Sequence, residues 1–281
     1  MNYINVINYG NKILKANKIK NFNLDSELIL AKVLNYKREE LLINLEKKIE
    51  VKKFKIFKKL VARRVEKEPI AYIFQHKEFW RYKFKVNQNV LIPRPETEII
   101  VEEALKLISP FSSKHILDIG TGSGCIILSV IKDRPKSYGT AIDICKKAIK
   151  IAKINAKMHH LENKIKFINI DVDKFNSDKY DFILSNPPYI SSIDYKRLDN
   201  SVRQFEPLKA LNAGIDGLSE IKKLILKSKQ LLKKNGKLVF EIGNTQMFKV
   251  KSLLNKNGFY INKICKDYRS FPRVIISTYI D

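Results

Sequence analysis

The chain has 281 residues, of which 44% are hydrophobic and 30% are charged. This length corresponds to about two domains of ordinary size, and the composition excludes an intrinsically disordered chain. The formal net charge of +25 excludes an acidic protein and draws attention to nucleic acid or a membrane surface as a partner. A lysine bias on solvated faces is the alternative, since only ten of the 54 basic residues are arginine.

The excess positive charge is concentrated in the first third of the chain. Residues 1–93 carry 21 basic and 9 acidic residues, a net charge of +12, whereas the remaining residues together carry +13. Lys52, Lys55 and Lys59 project away from the apolar face of a predicted helix. They form a candidate docking surface for an acidic partner, with a solvated helix face as the alternative.

Several classes of protein are disfavoured by simple patterns. The longest uncharged run, residues 119–131, falls short of the roughly 20 apolar residues of a membrane span, and the N-terminus does not resemble a secretory signal. Scattered cysteines without a CxxC pair favour a reducing, cytoplasmic setting. The four histidines show no ligand spacing beyond one adjacent pair, so we expect no metal site.

The first 93 residues divide into a helical part and a connector. Apolar residues at helical spacing predict that residues 1–74 are all helical, with helices over 24–34, 39–45 and 51–65. Residues 78–86 then alternate as in a strand, and residues 90–92 follow a short polar turn. This pattern predicts a β-hairpin within residues 75–93.

From residue 114 onward the pattern alternates strands with helices. Predicted strands span 115–119, 138–143, 165–170, 181–185, 237–242, 259–263 and 274–279, and predicted helices span 96–108, 125–132, 146–159, 218–232 and 245–256. This alternation predicts an α/β fold with a mostly parallel sheet covered on both faces. The last two strands, joined by a short link, predict an antiparallel edge.

A glycine-rich loop follows the first predicted strand of this region, in Asp118-Ile-Gly-Thr-Gly-Ser-Gly124. Glycines there allow a tight turn and the close approach of a ligand, although they could serve the turn alone. Asp143, at the end of the next strand, is placed to accept hydrogen bonds from ribose hydroxyls or to cap the following helix. Together they predict a nucleoside-containing cofactor without specifying which one.

The most informative segment is Asn186-Pro-Pro-Tyr189, directly after a predicted strand. Two prolines cannot continue a central strand, so they form a rigid loop where ligands bind in open α/β folds. The Asn186 side chain and the Pro187 carbonyl are two acceptors, and Tyr189 has an aromatic face. This set suits a planar amide or amine nitrogen, whereas the alternative is a buried turn capped by Asn186.

These motifs resemble those of class I S-adenosylmethionine-dependent methyltransferases that act on nitrogen. More narrowly, the chain resembles the release factor glutamine methyltransferases, the PrmC/HemK family, along almost its full length. The matching segments are Glu68-Pro-Ile-Ala-Tyr72, Glu78-Phe-Trp80, Leu91-Ile-Pro-Arg-Pro-Glu-Thr-Glu98, the glycine loop, Ser185-Asn-Pro-Pro-Tyr-Ile190, Phe205-Glu-Pro-Leu208, Asp267-Tyr268 and Arg273-Val274.

The resemblance implies a Rossmann-like class I methyltransferase domain with a mostly parallel seven-stranded sheet and an antiparallel edge. A small N-terminal helical domain and a β-hairpin connector precede it. The implied division assigns residues 1–74 to substrate recognition, 75–93 to the connector and 94–281 to the methyltransferase domain. The implied setting is cytoplasmic, with class I peptide-chain release factors as partners and neither a membrane nor direct nucleic-acid binding required.

The implied reaction transfers a methyl group from S-adenosylmethionine to the side-chain nitrogen (N5) of the glutamine in the Gly-Gly-Gln motif of those factors. The residues implied to hold the cofactor are Gly120, Thr121, Gly122, Ser123, Gly124, Asp143, Val172 and Asn186. Val172 stands where many relatives carry an aromatic residue near the adenine. The glutamine pocket is implied to consist of Asn186, Pro187, Pro188 and Tyr189, with Asn186 and Pro187 catalytic.

Two alternatives compete with this interpretation. An N6-adenine methyltransferase acting on rRNA or DNA is favoured by the charge and by the shared asparagine-proline-proline-tyrosine segment. It is disfavoured because the sequence leaves no segment for a target-recognition domain. A basic RNA- or ribosome-binding module with a vestigial methyltransferase fold is disfavoured by the intact loop glycines, Asp143 and Asn186.

Overall fold

The structure is a computed structural model in which residues 1–280 are described. Backbone contacts divide the chain into two compact units. One contains Met1–Gln75 together with Asp199–Phe205, and the other contains the remaining described residues. The first unit is helical, and the strands belong to the second.

The described residues form helices and strands with the following bounds. The helices are α1 (Tyr3–Ala16), α2 (Phe22–Leu34), α3 (Arg38–Ile43), α4 (Val51–Val65), α5 (Ile70–Phe74), α6 (Glu98–Leu107), α7 (Cys125–Asp133), α8 (Lys146–Met158), α9 (Ser192–Tyr195), α10 (Asn200–Phe205), α11 (Ser219–Leu231) and α12 (Met247–Lys256). The strands are β1 (His76–Phe79), β2 (Tyr82–Lys85), β3 (His115–Ile119), β4 (Tyr138–Asp143), β5 (Ile165–Asn169), β6 (Tyr180–Ser185), β7 (Leu232–Glu241), β8 (Phe259–Lys266) and β9 (Pro272–Tyr279).

The predicted N-terminal helical region is confirmed, and its core lies where α1, α2 and α4 meet. Val6, Leu14, Leu30 and Phe57 are fully buried there. Gly10 makes this close packing possible, because a Cβ atom at that position would lie 2.7 Å from Ser26 Oγ and 2.8 Å from Phe57 Cζ. The short helix α10 clusters with this unit although it lies far along the chain, which the sequence pattern did not predict.

The predicted mostly parallel sheet with an antiparallel edge is also confirmed. Seven strands lie in the order β5-β4-β3-β6-β7-β9-β8. The pairs from β5 to β7 are parallel, whereas β9 pairs antiparallel with both β7 and β8. Successive residues of each strand point to opposite faces. Ile116 therefore packs with α6 and α7, and Leu117 packs with α11 and α12.

The predicted positions of the hairpin strands are wrong. Residues 78–86 are not one strand: they supply part of β1, a tight turn and β2, and Phe79 pairs with Tyr82. Trp80 adopts a positive φ of 58° in this turn, and its backbone and indole N–H groups donate to Glu98 and Asp133, both at 2.9 Å. These tertiary hydrogen bonds stabilise a turn that an alternating pattern does not reveal.

Residues 90–92, predicted as the second hairpin strand, are not a strand either. The backbone N–H of Ile92 donates to the Glu206 carboxylate, with a nitrogen–oxygen distance of 3.2 Å. The Glu206 side chain thus accepts the hydrogen bond from the Ile92 N–H that a neighbouring strand would otherwise have accepted.

The Gly10→Ala substitution tests the packing of the helical unit. Alanine favours helix by about 1 kcal/mol over glycine, but overpacking a filled core costs about 1–3 kcal/mol. We therefore expect a net loss of stability in urea unfolding of the full chain. Lys12→Ala, on an exposed position of the same helix, is the control, and a Gly10→Ala protein at least as stable as that control would contradict the packing argument.

Candidate active site

The carboxyl ends of four neighbouring parallel strands bring the predicted site residues to one edge of the sheet. The glycine loop follows β3, Asp143 ends β4, Val172 comes shortly after β5, and Asn186 follows β6. The four strands are adjacent and parallel. This is the edge at which ligands bind in open α/β sheets.

The glycine loop separates into two parts with different tasks. Gly120, Gly122 and Gly124 have positive φ angles of 72°, 56° and 82°. A Cβ atom at Gly120 would meet nothing within 4 Å, and one at Gly122 would meet only a backbone oxygen at 4.0 Å. A Cβ atom at Gly124 would lie 2.8 Å from Leu128 Cδ1. The first two glycines therefore leave room for a ligand, and the third allows close helix packing.

Asp143 closes the loop from the neighbouring strand. Its Oδ2 accepts the Gly122 N–H at 2.9 Å, and its Oδ1 accepts the Cys145 N–H at 2.8 Å. Burial raises the pKa of Asp143, and these two backbone N–H groups oppose that shift. Each carboxylate oxygen retains a further lone pair for a ligand hydroxyl. The structural and the ligand-binding interpretations of Asp143 are thus compatible.

Thr121 and Ser123 of the glycine loop are both buried. Thr121 Oγ1 donates to Asp118 Oδ2 at 2.7 Å. Asp118 is fully buried, and desolvation raises its pKa to about 7. Thr121 therefore contributes to the shape of the loop through Asp118.

A chain of hydrogen bonds holds the Asn186 side chain. Its Nδ2 donates to Thr97 Oγ1 at 2.9 Å, and Thr97 Oγ1 donates to Glu241 Oε2 at 2.6 Å. The Tyr189 hydroxyl donates to the other oxygen of Glu241 at 3.0 Å. Thr97 and Glu241 are each 1% exposed. Burial raises the pKa of Glu241, and the two hydroxyl donors oppose that shift.

The backbone of the asparagine-proline loop is held as firmly as its side chains. Gln246 Nε2 donates to the carbonyl oxygen of Tyr189 at 3.0 Å and to that of Gly217 at 2.9 Å, while its Oε1 accepts the Gly243 N–H at 2.9 Å. Pro187 is buried and Pro188 is partly buried. The loop is therefore anchored at Tyr189 by a side chain that is distant in sequence.

Thr97 and Glu241 were missed as site residues by the sequence reasoning. Thr97 lies within the segment Leu91-Ile-Pro-Arg-Pro-Glu-Thr-Glu98, where it was noted only as part of a resemblance. Glu241 ends β7, which pairs parallel with β6 and so ends at the same edge as Asn186. A carboxylate at the carboxyl end of this strand was the sequence feature that could have identified Glu241 as a site residue.

Two further ion pairs join segments that carry the resemblance. Arg94 donates to Glu206 at 2.5 Å, although 112 positions separate them in the sequence. Arg273 donates to Asp267 at 3.0 Å. These segments are therefore linked within the second unit rather than scattered over its surface.

Val172 begins a short 3₁₀ turn, Val172–Lys174, after β5. It is partly buried and packs against the apolar cluster on the α11 side of the sheet.

No group of three or more His, Cys, Asp or Glu within residues 1–280 is arranged to hold a metal ion. In the same range, no helix combines the length and apolarity needed to cross a membrane.

Comparison with solved structures identifies the fold class. The chain superimposes on a methyltransferase from Pyrococcus furiosus with a TM-score of 0.54 and 17% sequence identity, covering 78% of this chain and 98% of that one. The sequence model of the methyltransferase small domain matches residues 97–203, and that of the PrmC N-terminal domain matches residues 5–74. The fold and the sequence thus define a methyltransferase.

Full-length relatives specify the family. The chain is 39% identical to the release factor glutamine methyltransferase of Fusobacterium nucleatum, over 98% of this chain and 78% of the relative. It is 36% identical to the bifunctional methyltransferase of Rickettsia typhi over 96% of this chain, but spans only 56% of that longer protein. The chain belongs to the release factor glutamine methyltransferase family, which confirms the resemblance seen in the motifs.

Asp118 gives the folded state a specific pH dependence. Its pKa rises from 3.8 to about 7 on burial, so the folded protein binds a proton that the unfolded chain releases between these values. The neutral acid stabilises the fold fully at low pH, and this stabilisation is lost as the pH rises towards 7. Asp118→Asn resembles the neutral acid and lacks this dependence.

We expect the free energy of unfolding of the wild type, relative to Asp118→Asn, to fall by up to about 1.4 kcal/mol per pH unit between pH 4.5 and 6.5. Urea titrations at several pH values measure it. Asp173→Asn, at an exposed position, is the matched control. If the difference in free energy of unfolding between the wild type and Asp118→Asn stays constant with pH, the raised pKa of Asp118 is contradicted.

Proposed function

We propose that this chain methylates the side-chain amide nitrogen (N5) of the glutamine in the Gly-Gly-Gln motif of class I peptide-chain release factors, with S-adenosylmethionine as methyl donor. The observation that carries the proposal is the fixed Asn186 amide. Its Nδ2 is engaged by Thr97, so its Oδ1 remains to accept a hydrogen bond at the sheet edge that also holds the glycine loop. Family membership supports the choice of substrate.

The residues at this edge fit the donor molecule. The open space beside Gly120 and Gly122 suits its methionine part, lined by the loop from Gly120 to Gly124. The remaining lone pairs of Asp143 suit its ribose hydroxyls, and we assign Val172 to the adenine side. When bound, S-adenosylmethionine supplies an electrophilic methyl carbon on a sulfonium centre.

The protein prepares the substrate nitrogen rather than deprotonating it. An amide nitrogen is a poor nucleophile because its lone pair is delocalised into the carbonyl. Asn186 Oδ1 and the Pro187 carbonyl accept its two hydrogens, which raises the electron density on nitrogen and orients it. The Tyr189 ring packs against the amide plane, and Pro188 keeps the loop rigid. Positioning and electrostatics therefore provide the catalysis, and water takes the proton after methyl transfer.

The helical region supports recognition of a protein substrate. We propose that residues 1–74 bind the release factor and that the exposed side chains of Lys52, Lys55 and Lys59 on α4 dock an acidic surface on it. The family-model match to residues 5–74 supports a separate role for this region. We place the enzyme in the cytoplasm, where translation termination takes place. Its activity requires neither a membrane nor nucleic acid in this proposal.

Replacing Asn186 by alanine tests the catalytic assignment. We expect kcat for methyl transfer to a release factor to fall at least about a hundredfold, because an electrostatic contact to the reacting group is lost. The Asn186→Ala variant still binds S-adenosylmethionine in calorimetry, because seven of the eight residues implied to hold it, including the glycine loop and Asp143, are unchanged. Transfer of radioactive methyl measures the rate.

Asn163→Ala, at an exposed position ahead of the amino end of β5, is the control and keeps wild-type activity. Near-normal methylation by Asn186→Ala would refute the assignment. Parallel assays with rRNA and DNA test the adenine alternative, and methyl transfer to nucleic acid instead of the release factor would establish it.

Reversing the charges of Lys52, Lys55 and Lys59 to glutamate tests docking. We expect kcat/KM to fall severalfold at low salt and to become less sensitive to salt, because electrostatic steering acts through exposed charges. The matched control reverses Lys150, Lys153 and Lys157, which are exposed on α8 with the same helical spacing. Equal salt dependence in both triple variants would show that the α4 charge is compositional.

A further inference from the structure

The two ends of an asparagine side chain differ in chemistry but hardly in shape. One end accepts hydrogen bonds and the other donates them. In the proposed mechanism only the accepting end of Asn186 is useful, because the substrate amide brings N–H donors. A neighbouring group must therefore determine which end faces the substrate.

Thr97 is that neighbour, and its hydroxyl is constrained by Glu241. A hydroxyl carries a single hydrogen, and Glu241 accepts at both of its oxygens, from Thr97 and from Tyr189. The Thr97 hydrogen is used in the 2.6 Å bond to Glu241 Oε2. Thr97 Oγ1 can then only accept from Asn186, so the atom at 2.9 Å from it is Nδ2. The carbonyl end of Asn186 is left to face the substrate.

Tyr189 fixes the other side of Glu241. Its hydroxyl donates to Oε1 at 3.0 Å, and burial followed by the Glu241 charge raises the pKa of Tyr189, which keeps this hydroxyl protonated. Glu241 is 1% exposed. Both carboxylate oxygens thus receive hydroxyl donors from the two segments that form the pocket.

We propose that Thr97 and Glu241 act as positioning residues that set the hydrogen-bond direction at Asn186, and thereby make the pocket select a glutamine side chain over a glutamate side chain. The inference rests on the proposed function. Glutamate is nearly isosteric with glutamine, but its carboxylate has only acceptors. In the pocket it would place oxygen atoms against Asn186 Oδ1 and the Pro187 carbonyl.

Thr97→Val and Thr97→Ser provide the test, because valine keeps the shape without the hydroxyl and serine keeps the hydroxyl. The full-length enzyme is assayed with a release factor as substrate. The same factor with its Gly-Gly-Gln glutamine replaced by glutamate serves as competitive inhibitor. The readouts are kcat, the KM for S-adenosylmethionine, the inhibition constant of the glutamate factor and the thermal unfolding midpoint.

We expect the wild type and Thr97→Ser to bind the glutamate factor weakly and to have similar kcat. In Thr97→Val the Asn186 amide is free to turn. Its kcat should then fall on the order of tenfold or more, and the preference for glutamine over glutamate should fall by a similar factor, as for the loss of one buried hydrogen bond. The KM for S-adenosylmethionine should stay unchanged. A merely structural role would lower stability without changing the selectivity.

Glu241→Leu is a second variant that keeps the test decisive if Thr97→Val does not fold. It removes both acceptor oxygens, so the Thr97 hydrogen is free to bond Asn186 Oδ1, the Asn186 amide can turn, and the selectivity should again decrease. If the wild type is active and the folded variants retain its full selectivity for glutamine, the positioning role of Thr97 and Glu241 is overturned. The proposed function would still stand in that case. A wild type that transfers no methyl group to the release factor would instead overturn the proposed function.

Discussion

Parallel pairing of β3 with β4 on one side and with β6 on the other fixes where the candidate active site of this chain lies. Ile119 at the end of β3 is in register with Ile142 and with Ser185. The Ser185 hydroxyl also donates to the Ile119 carbonyl at 2.8 Å. Because three strands end at one level, the glycine loop, Asp143 and the asparagine-proline loop leave the sheet side by side. A slip of β3 against β6 would separate the glycine loop from Asn186, and a slip of β3 against β4 would separate it from Asp143.

The site also depends on buried polar groups whose hydrogen bonds are matched. Glu241 would be costly inside the protein without partners, and Thr97 and Tyr189 supply them. The same contacts that stabilise the Glu241 carboxylate give the Asn186 amide a single orientation. In the proposed mechanism, stability and selectivity for glutamine therefore arise from one set of hydrogen bonds. This also explains why a segment before the methyltransferase sheet, which contains Thr97, belongs to the site.

Local patterns predict the sheet, most helix bounds and the glycine loop, because these depend on periodicity and on backbone conformations that few residues adopt. They fail where distant side chains determine the structure. The turn at Trp80 depends on Glu98 and Asp133, and the non-strand conformation at Ile92 depends on Glu206. Glu241 was missed for the same reason, since its role comes from hydroxyls brought to it by the fold. The placement of α10 with the helical unit is likewise a tertiary property.

The net charge of +25 has no part in the proposed chemistry, since none of the residues assigned to methyl transfer is basic.

Methyl transfer to the side-chain nitrogen of one glutamine is the central proposal. Fragment mass spectrometry of the Gly-Gly-Gln peptide, from a release factor incubated with the enzyme and isotopically labelled S-adenosylmethionine, tests it most directly. The account predicts one labelled methyl group on the glutamine side-chain nitrogen, present only with enzyme. An unmodified glutamine, or a label located on another residue, would contradict it.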